Sequence, residues 1–277
     1  MEVLLGGLSS ILYGFADFLG GEASKKVTSA TVVVWSGVLA FPFLLVVGLV
    51  IGGDAGLSDY LYGAASGMSG AVGLVMLFAG LARGRAAVVA PLAAALGAVV
   101  PVVAGILSGD RPSMTAWAGV VLAVPAIALS AWVEDAGGSI RDGLLFGSIA
   151  GISFGAFATL IAQTSQGSNL LPLVVARGSL VVLIVVLSMA GVWAVERRFS
   201  QTPRSFVAAN SILDVTANVS LLYALRSGSL ALAAVAGSFY PAVTVILART
   251  VNGEHLRRRQ IAGIALTLFA LALIALG

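Results

Sequence analysis

Residues 6–19, GGLSSILYGFADFL, return as residues 147–160, GSIAGISFGAFATL. At this shift of 141, Gly6, Ser10 and Gly14 fall on Gly147, Gly151 and Gly155, while Ile11, Leu19 and Gly37 fall on Ile152, Leu160 and Gly178. At a shift of 144, Gly84, Ala87, Gly109, Gly119 and Leu122 meet Gly228, Ala231, Gly253, Gly263 and Leu266. Asp110 meets Glu254, each directly after a glycine. The chain is therefore an internal duplication. Small residues at every fourth position also make a flat stripe along a helix, on which a second helix can pack closely.

The number of segments between the copies decides the fold. The 277 residues are 59% hydrophobic and 10% charged, with a mean hydropathy of +1.06. A soluble domain carries about a quarter charged residues, so the main solvent of this chain is lipid. Charges and turn residues cut it into ten apolar segments, at 3–22, 29–51, 60–82, 86–108, 113–133, 143–162, 170–193, 205–225, 230–250 and 260–277. Most approach the roughly 20 residues of a helical span, and none shows the period-two pattern of a membrane barrel. The expected fold is all-α and polytopic, with ten transmembrane helices in two five-helix repeats, residues 1–136 and 142–277. Five is odd, so the second repeat must thread the bilayer upside down. Inverted repeats of this kind are the architecture of secondary transporters.

Composition excludes several functions. The first segment has no basic leader, carries Asp17, and has an internal counterpart at 143–162, so it does not read as a signal peptide. The absence of cysteine excludes disulfides and thiol catalysis. One histidine and no cysteine give no metal-ligand cluster, and no phosphate-binding loop is present. Gly67-Met68-Ser69-Gly70 resembles the surroundings of an intramembrane serine nucleophile, but the single histidine, His255, lies in a loop among arginines. The expectation is a non-enzyme without cofactor, whose partners are a small-molecule solute and the lipid bilayer. The net charge of +3 comes without a basic patch interleaved with aromatics, so nucleic acid is not expected.

The basic residues fix an orientation. Lys25, Lys26, Arg83, Arg85, Arg141, Arg197, Arg198, Arg204, Arg249, Arg257, Arg258 and Arg259 lie in or beside the odd-numbered connections, and only Arg111 and Arg226 in the even ones. The positive-inside rule then places the odd loops in the cytoplasm and both termini outside.

Charges inside spans cost on the order of 3 kcal/mol each on insertion scales, so they face a cavity or a partner. Asp17, Arg177 and Asp214 are such residues. Asn210, Asp214 and Asn218 share one face of the eighth segment, and Ser10, Tyr13, Gly14 and Asp17 make a parallel polar stripe on the first. At 1.5 Å rise per residue, Arg177 lies roughly 11 Å from the even-loop side, Asp214 roughly 14 Å and Asp17 roughly 8 Å from the odd-loop side. Arg177 is expected to pair with Asp214, with Asn218 beside them. Pro91, Pro101, Pro125 and Pro241 mark places where helices bend. Tyr240 precedes Pro241 and offers a hydroxyl to the passage, and Trp35 is a further candidate for lining it. Trp132 and Trp193 read as interface anchors.

Ser108-Gly109-Asp110-Arg111 followed by Gly119, and Asn252-Gly253-Glu254-His255 followed by Gly263, place a Gly-acid pair before the last span of each half. With Asp17-Phe18-Leu19-Gly20-Gly21, Lys25-Lys26 and Arg177, this arrangement resembles the EamA-type transporters of the drug/metabolite transporter superfamily, over essentially the whole chain. The first half carries Asp where the family usually has Glu. The resemblance implies a carrier of the prokaryotic cell membrane, often an exporter of amino acids, metabolites or drugs. It further implies a central cavity exposed alternately to each side, and cytoplasmic termini, opposite to the loop charges. On this reading Asp17 and Asp214 titrate or hold a cation, Arg177 holds a carboxylate or poises Asp214, and Asn210 and Asn218 hydrogen-bond the solute. The other reading of the same pattern is a passive channel.

Overall fold

A computed structural model of the chain describes residues 2–83, 86–107, 113–131, 139–196, 201–226, 239–253 and 258–276. Ten α-helices and one short 3-10 turn account for most of them: α1 (Glu2–Ser24), α2 (Ser29–Ile51), α3 (Leu57–Arg83), α4 (Ala86–Leu107), α5 (Met114–Ala131), α6 (Ile140–Ile161), α7 (Leu171–Met189), α8 (Gln201–Arg226), α9 (Tyr240–Asn252) and α10 (Arg258–Leu276). Seven are long and apolar enough to cross a membrane by length and composition, namely most or all of α1 to α4 and α6 to α8. The expected ten spans are met by seven on this measure. The apolar parts of α5 and α10 are short, Met114–Ala123 and Ile261–Ile274, and α9 has 13 described residues. Large apolar side chains such as Leu4, Val50, Leu107 and Val182 point outward, as lipid-facing residues do.

Local chemistry sets the ends of these helices. Thr28 caps α2 by accepting from the Thr31 amide, and Ser139 caps α6 by accepting from the Asp142 amide. Gly253 ends α9 at φ 68°, the left-handed conformation that glycine adopts without a Cβ penalty. The Gly-acid turn therefore uses its glycine as a helix stop. Its acid, Glu254, and the first-half counterpart Gly109-Asp110 lie outside the described residues, as do Gly84, Arg85, Arg111, Trp132, the 132–138 part of the boundary, Arg197, Arg198, Gly228, Ala231, His255 and Arg257. Pro241 sits in the first turn of α9, where proline costs nothing, while Pro91 and Pro101 lie within α4 and Pro125 within α5.

Packing follows the repeat. α1 packs against α8 as α3 packs against α6; α4 meets α6 as α9 meets α1; α2 meets α7, and α5 meets α10. Exchanging the halves maps this pattern onto itself. The glycine stripes serve those symmetric contacts. Gly147, Gly151 and Gly155 lie against Leu92, Ala93 and Val100 of α4, while Gly14 lies against Val243 and Tyr240 of α9.

The same contacts give the directions. Gly70, Gly73 and Gly80 of α3 meet Phe157, Phe154 and Phe146 of α6, an antiparallel run. Gly63 and Gly67 of α3 meet Pro172 and Ala176 of α7, a parallel run. Gly37 and Gly48 of α2 meet Leu180 and Val174 of α7, again antiparallel. α1 and α2 form a hairpin through Lys25 to Thr28, so α1, α3 and α7 run one way and α6 runs the other. The second repeat is inverted relative to the first.

Two clasps hold the first repeat to the second, one at the start of α2 and one at the α2–α3 connection with the first turn of α3. At the odd-loop end, Thr28 donates its amide to Glu196 Oε1 at 3.1 Å, the Glu196 amide donates to Thr31 Oγ1 at 2.8 Å, and Trp35 Nε1 donates to the Glu196 carbonyl at 3.2 Å. At the even-loop end, Ser165 donates its amide and hydroxyl to Asp59 at 2.7 and 3.0 Å, and the Asp54 amide donates to the Gly167 carbonyl at 2.9 Å.

Candidate functional site

The largest buried apolar cluster gathers near the odd-loop end. It includes Phe18 and Ala23 of α1, Val32 and Val33 of α2, Phe78 and Leu81 of α3, Val207 of α8 and Ala248 of α9. Toward the even-loop end the bundle is hollow. A cavity of about 460 Å³ runs from Asp17 and Leu74 to Ala158 near the end of α6 and Leu173 near the start of α7.

Six of the eight residues expected at the site line this cavity: Tyr13, Asp17, Arg177, Asp214, Asn218 and Tyr240. Arg177 Nη2 donates to Asp214 Oδ2, joining α7 to α8 across the interior with both residues buried. Asn218 Nδ2 donates to the Asp214 backbone carbonyl at 2.8 Å, so it stands beside the pair without touching the carboxylate. Asp17, 6% exposed, has no hydrogen bond or ion pair among the described residues. Tyr13, one turn before it, meets Tyr240 edge to face with ring centroids 6.3 Å apart.

The other two do not line the cavity. Asn210 donates to the Ala16 carbonyl at 2.7 Å and accepts from Ser36 Oγ at 2.6 Å, tying α8 to α1 and α2. Trp35 belongs to the odd-loop clasp. The serine run has a packing role: Ser69 donates to the Ser153 carbonyl at 2.9 Å, and a Cβ on Gly67 would lie 1.9 Å from the Ala176 carbonyl oxygen.

Sequence reading missed the opposite wall, although the repeat contains the signal for it. At a shift of 141, Tyr13 and Asp17 correspond to Phe154 and Ala158; at 144, Asp214 and Asn218 correspond to Gly70 and Leu74. All four counterparts line the cavity. Repeat-equivalent helices therefore form two walls, a polar one on α1 and α8 and an apolar one on α3 and α6. Such an interior can hold a small solute with an apolar body and a charged end.

The EamA-like transporter family profile matches residues 1–132 and 141–276. The chain belongs to the EamA-like transporter family. It is thus a multi-pass integral membrane protein of the drug/metabolite transporter superfamily, with one EamA repeat in each half. No curated protein matches it. Fifteen chains of solved structure do. One of them, a crystal structure of a protein, aligns with 99% of this chain and 97% of its own length at 14% identity and a TM-score of 0.66. At that identity the likeness shows the fold alone.

Proposed function

We propose that the chain is a ten-span secondary carrier of a prokaryotic cell membrane, exporting a small solute through the cavity by alternating access. The observation that carries this reading is the one-sided interior. Charge is buried at the inner end of the cavity, packed apolar residues lie toward the odd-loop face, and the lining runs on toward the even-loop face. A carrier exposes one central site to one side at a time, and a bundle filled at one end and hollow at the other fits one state of that cycle. A passive channel needs a continuous path, which the packed end does not offer. The count of ten is supported by α9, which holds the repeat position of the spanning helix α4, and by the pairing of α5 with α10. Asp17 and Asp214 supply groups for coupling to protons or to a counter-solute.

The chain lacks cysteine, so single cysteines report access cleanly. Ala158→Cys in the cavity should react with an impermeant maleimide from the even-loop side, while Ala248→Cys in the packed end reacts from neither. A proton gradient should lower the first reactivity and raise the second. Both sites reacting together would make the protein a channel, and no change in either would remove alternating access. A C-terminal reporter fixes the sidedness: on the loop charges it should be active only outside the cytoplasm.

A further inference from the structure

We infer that the cavity binds a small organic monocation, an amine with an apolar body, whose ammonium pairs with Asp17. The inference deepens the carrier reading and rests on it. It starts from a charge count among the lining residues. Arg177 and Asp214 neutralise each other in a direct ion pair. Asp17 remains, 6% exposed, facing the cavity, with no donor or cation bonded to it among the described residues. A buried carboxylate without a partner is costly, and that cost is relieved by a ligand that brings one positive charge.

The rest of the lining narrows the ligand. Among the described residues, the only cationic group in the cavity lining is Arg177, already engaged by Asp214, so a carboxylate on the ligand would meet no free donor of opposite charge there. An anion is disfavoured outright, and a zwitterion would gain at its ammonium and lose at its carboxylate. A divalent metal ion requires six or more oxygen ligands, and among the described residues no three acidic or histidine side chains stand together to hold one; Asp17 shares the lining with Tyr13 and Tyr240. Those two rings are suited to an ammonium in another way, because an aromatic face presented to a cation adds attraction through the ring quadrupole. The opposite wall, with Gly70, Leu74, Phe154 and Ala158, offers no charge and accepts an apolar body. The volume of about 460 Å³ lies in the range of pockets for small organic ligands.

Matched probes test the charge and leave the body constant. The full-length protein in detergent is unfolded thermally with phenethylamine, phenylalanine and phenylacetate, and with isoamylamine, leucine and isovalerate as a second set. A ligand that binds the folded state raises the midpoint in proportion to the logarithm of its concentration over Kd. The expected result is a midpoint increase with the amine of at least one set, and an affinity at least tenfold weaker for its zwitterionic and anionic partners. Asp17→Asn should abolish the amine effect, and Asp17→Glu should retain part of it. The proposal is overturned if an acid or amino acid binds as tightly as its amine, if Asp17→Asn responds unchanged, if sodium chloride alone reproduces the increase, or if neither amine has an effect. If the maleimide pattern still alternates in that event, the carrier reading stands and only the ligand class fails; if it does not, both fail.

Discussion

The two walls of the cavity hold equivalent places in the repeat and have opposite chemistry. On α1 and α8 stand Tyr13, Asp17, Asp214 and Asn218; at the same places on α6 and α3 stand Phe154, Ala158, Gly70 and Leu74. Their scaffolds are alike, since α1 packs against α8 as α6 packs against α3. The comparison teaches that the duplication preserves what holds helices together, while the groups that meet a solute have diverged. A site with charge on both walls would surround a ligand symmetrically; this one gives it a charged end and an apolar end.

Exchanging residues between the walls breaks that comparison most sharply. Asp214→Leu removes one partner of a buried pair and leaves Arg177 uncompensated, so it should lower stability by about 3–5 kcal/mol. The double change Arg177→Met with Asp214→Leu should recover most of that loss, as read by thermal unfolding in detergent. Ala158→Asp, which puts a carboxylate on the apolar wall, should cost about 3 kcal/mol on the same scale. Gly67→Ala forces a methyl group into the α7 backbone beside that wall and should cost about 1–3 kcal/mol, with the Arg177→Met, Asp214→Leu pair giving no relief. Asp17→Asn should go the other way: removing an unpartnered buried charge should leave the midpoint unchanged or raise it by a few degrees. Phe154→Tyr, the smallest change, should stay within about 0.5 kcal/mol because its hydroxyl can face the cavity.

Much of this arrangement is legible in the sequence because lipid simplifies the signal. Spans must be long, apolar and helical, so the helix positions follow from the charges; α2 begins and ends where the hydropathy places it, at residues 29 and 51. The Arg177–Asp214 pair is legible for the same reason, since a buried charge needs a partner at matching depth. What escapes is rotation about the helix axis. Asn210 shares a face with Asp214 at four-residue spacing, yet its amide reaches out of the cavity to Ala16 and Ser36. Trp35 has the depth of a lining residue, but its indole hydrogen is taken by the Glu196 carbonyl, a contact 161 residues away in sequence. The apolar wall carries no residue that stands out by type, and only the repeat register points to it.

The two clasps between the repeats have a mechanical consequence. Thr28, Thr31 and Trp35 hold the chain at Ala194 to Glu196, and Asp54 and Asp59 hold it at Ser165 to Gly167, both in one and the same state of the protein. A seam fastened at both ends cannot serve as the door at either. On the proposed carrier reading the α2–α7 contact would serve as the axle and the opening would lie on the far side of the bundle, while Asn210 ties α8 to α1 and α2 so that Asp17 and Asp214 would move together.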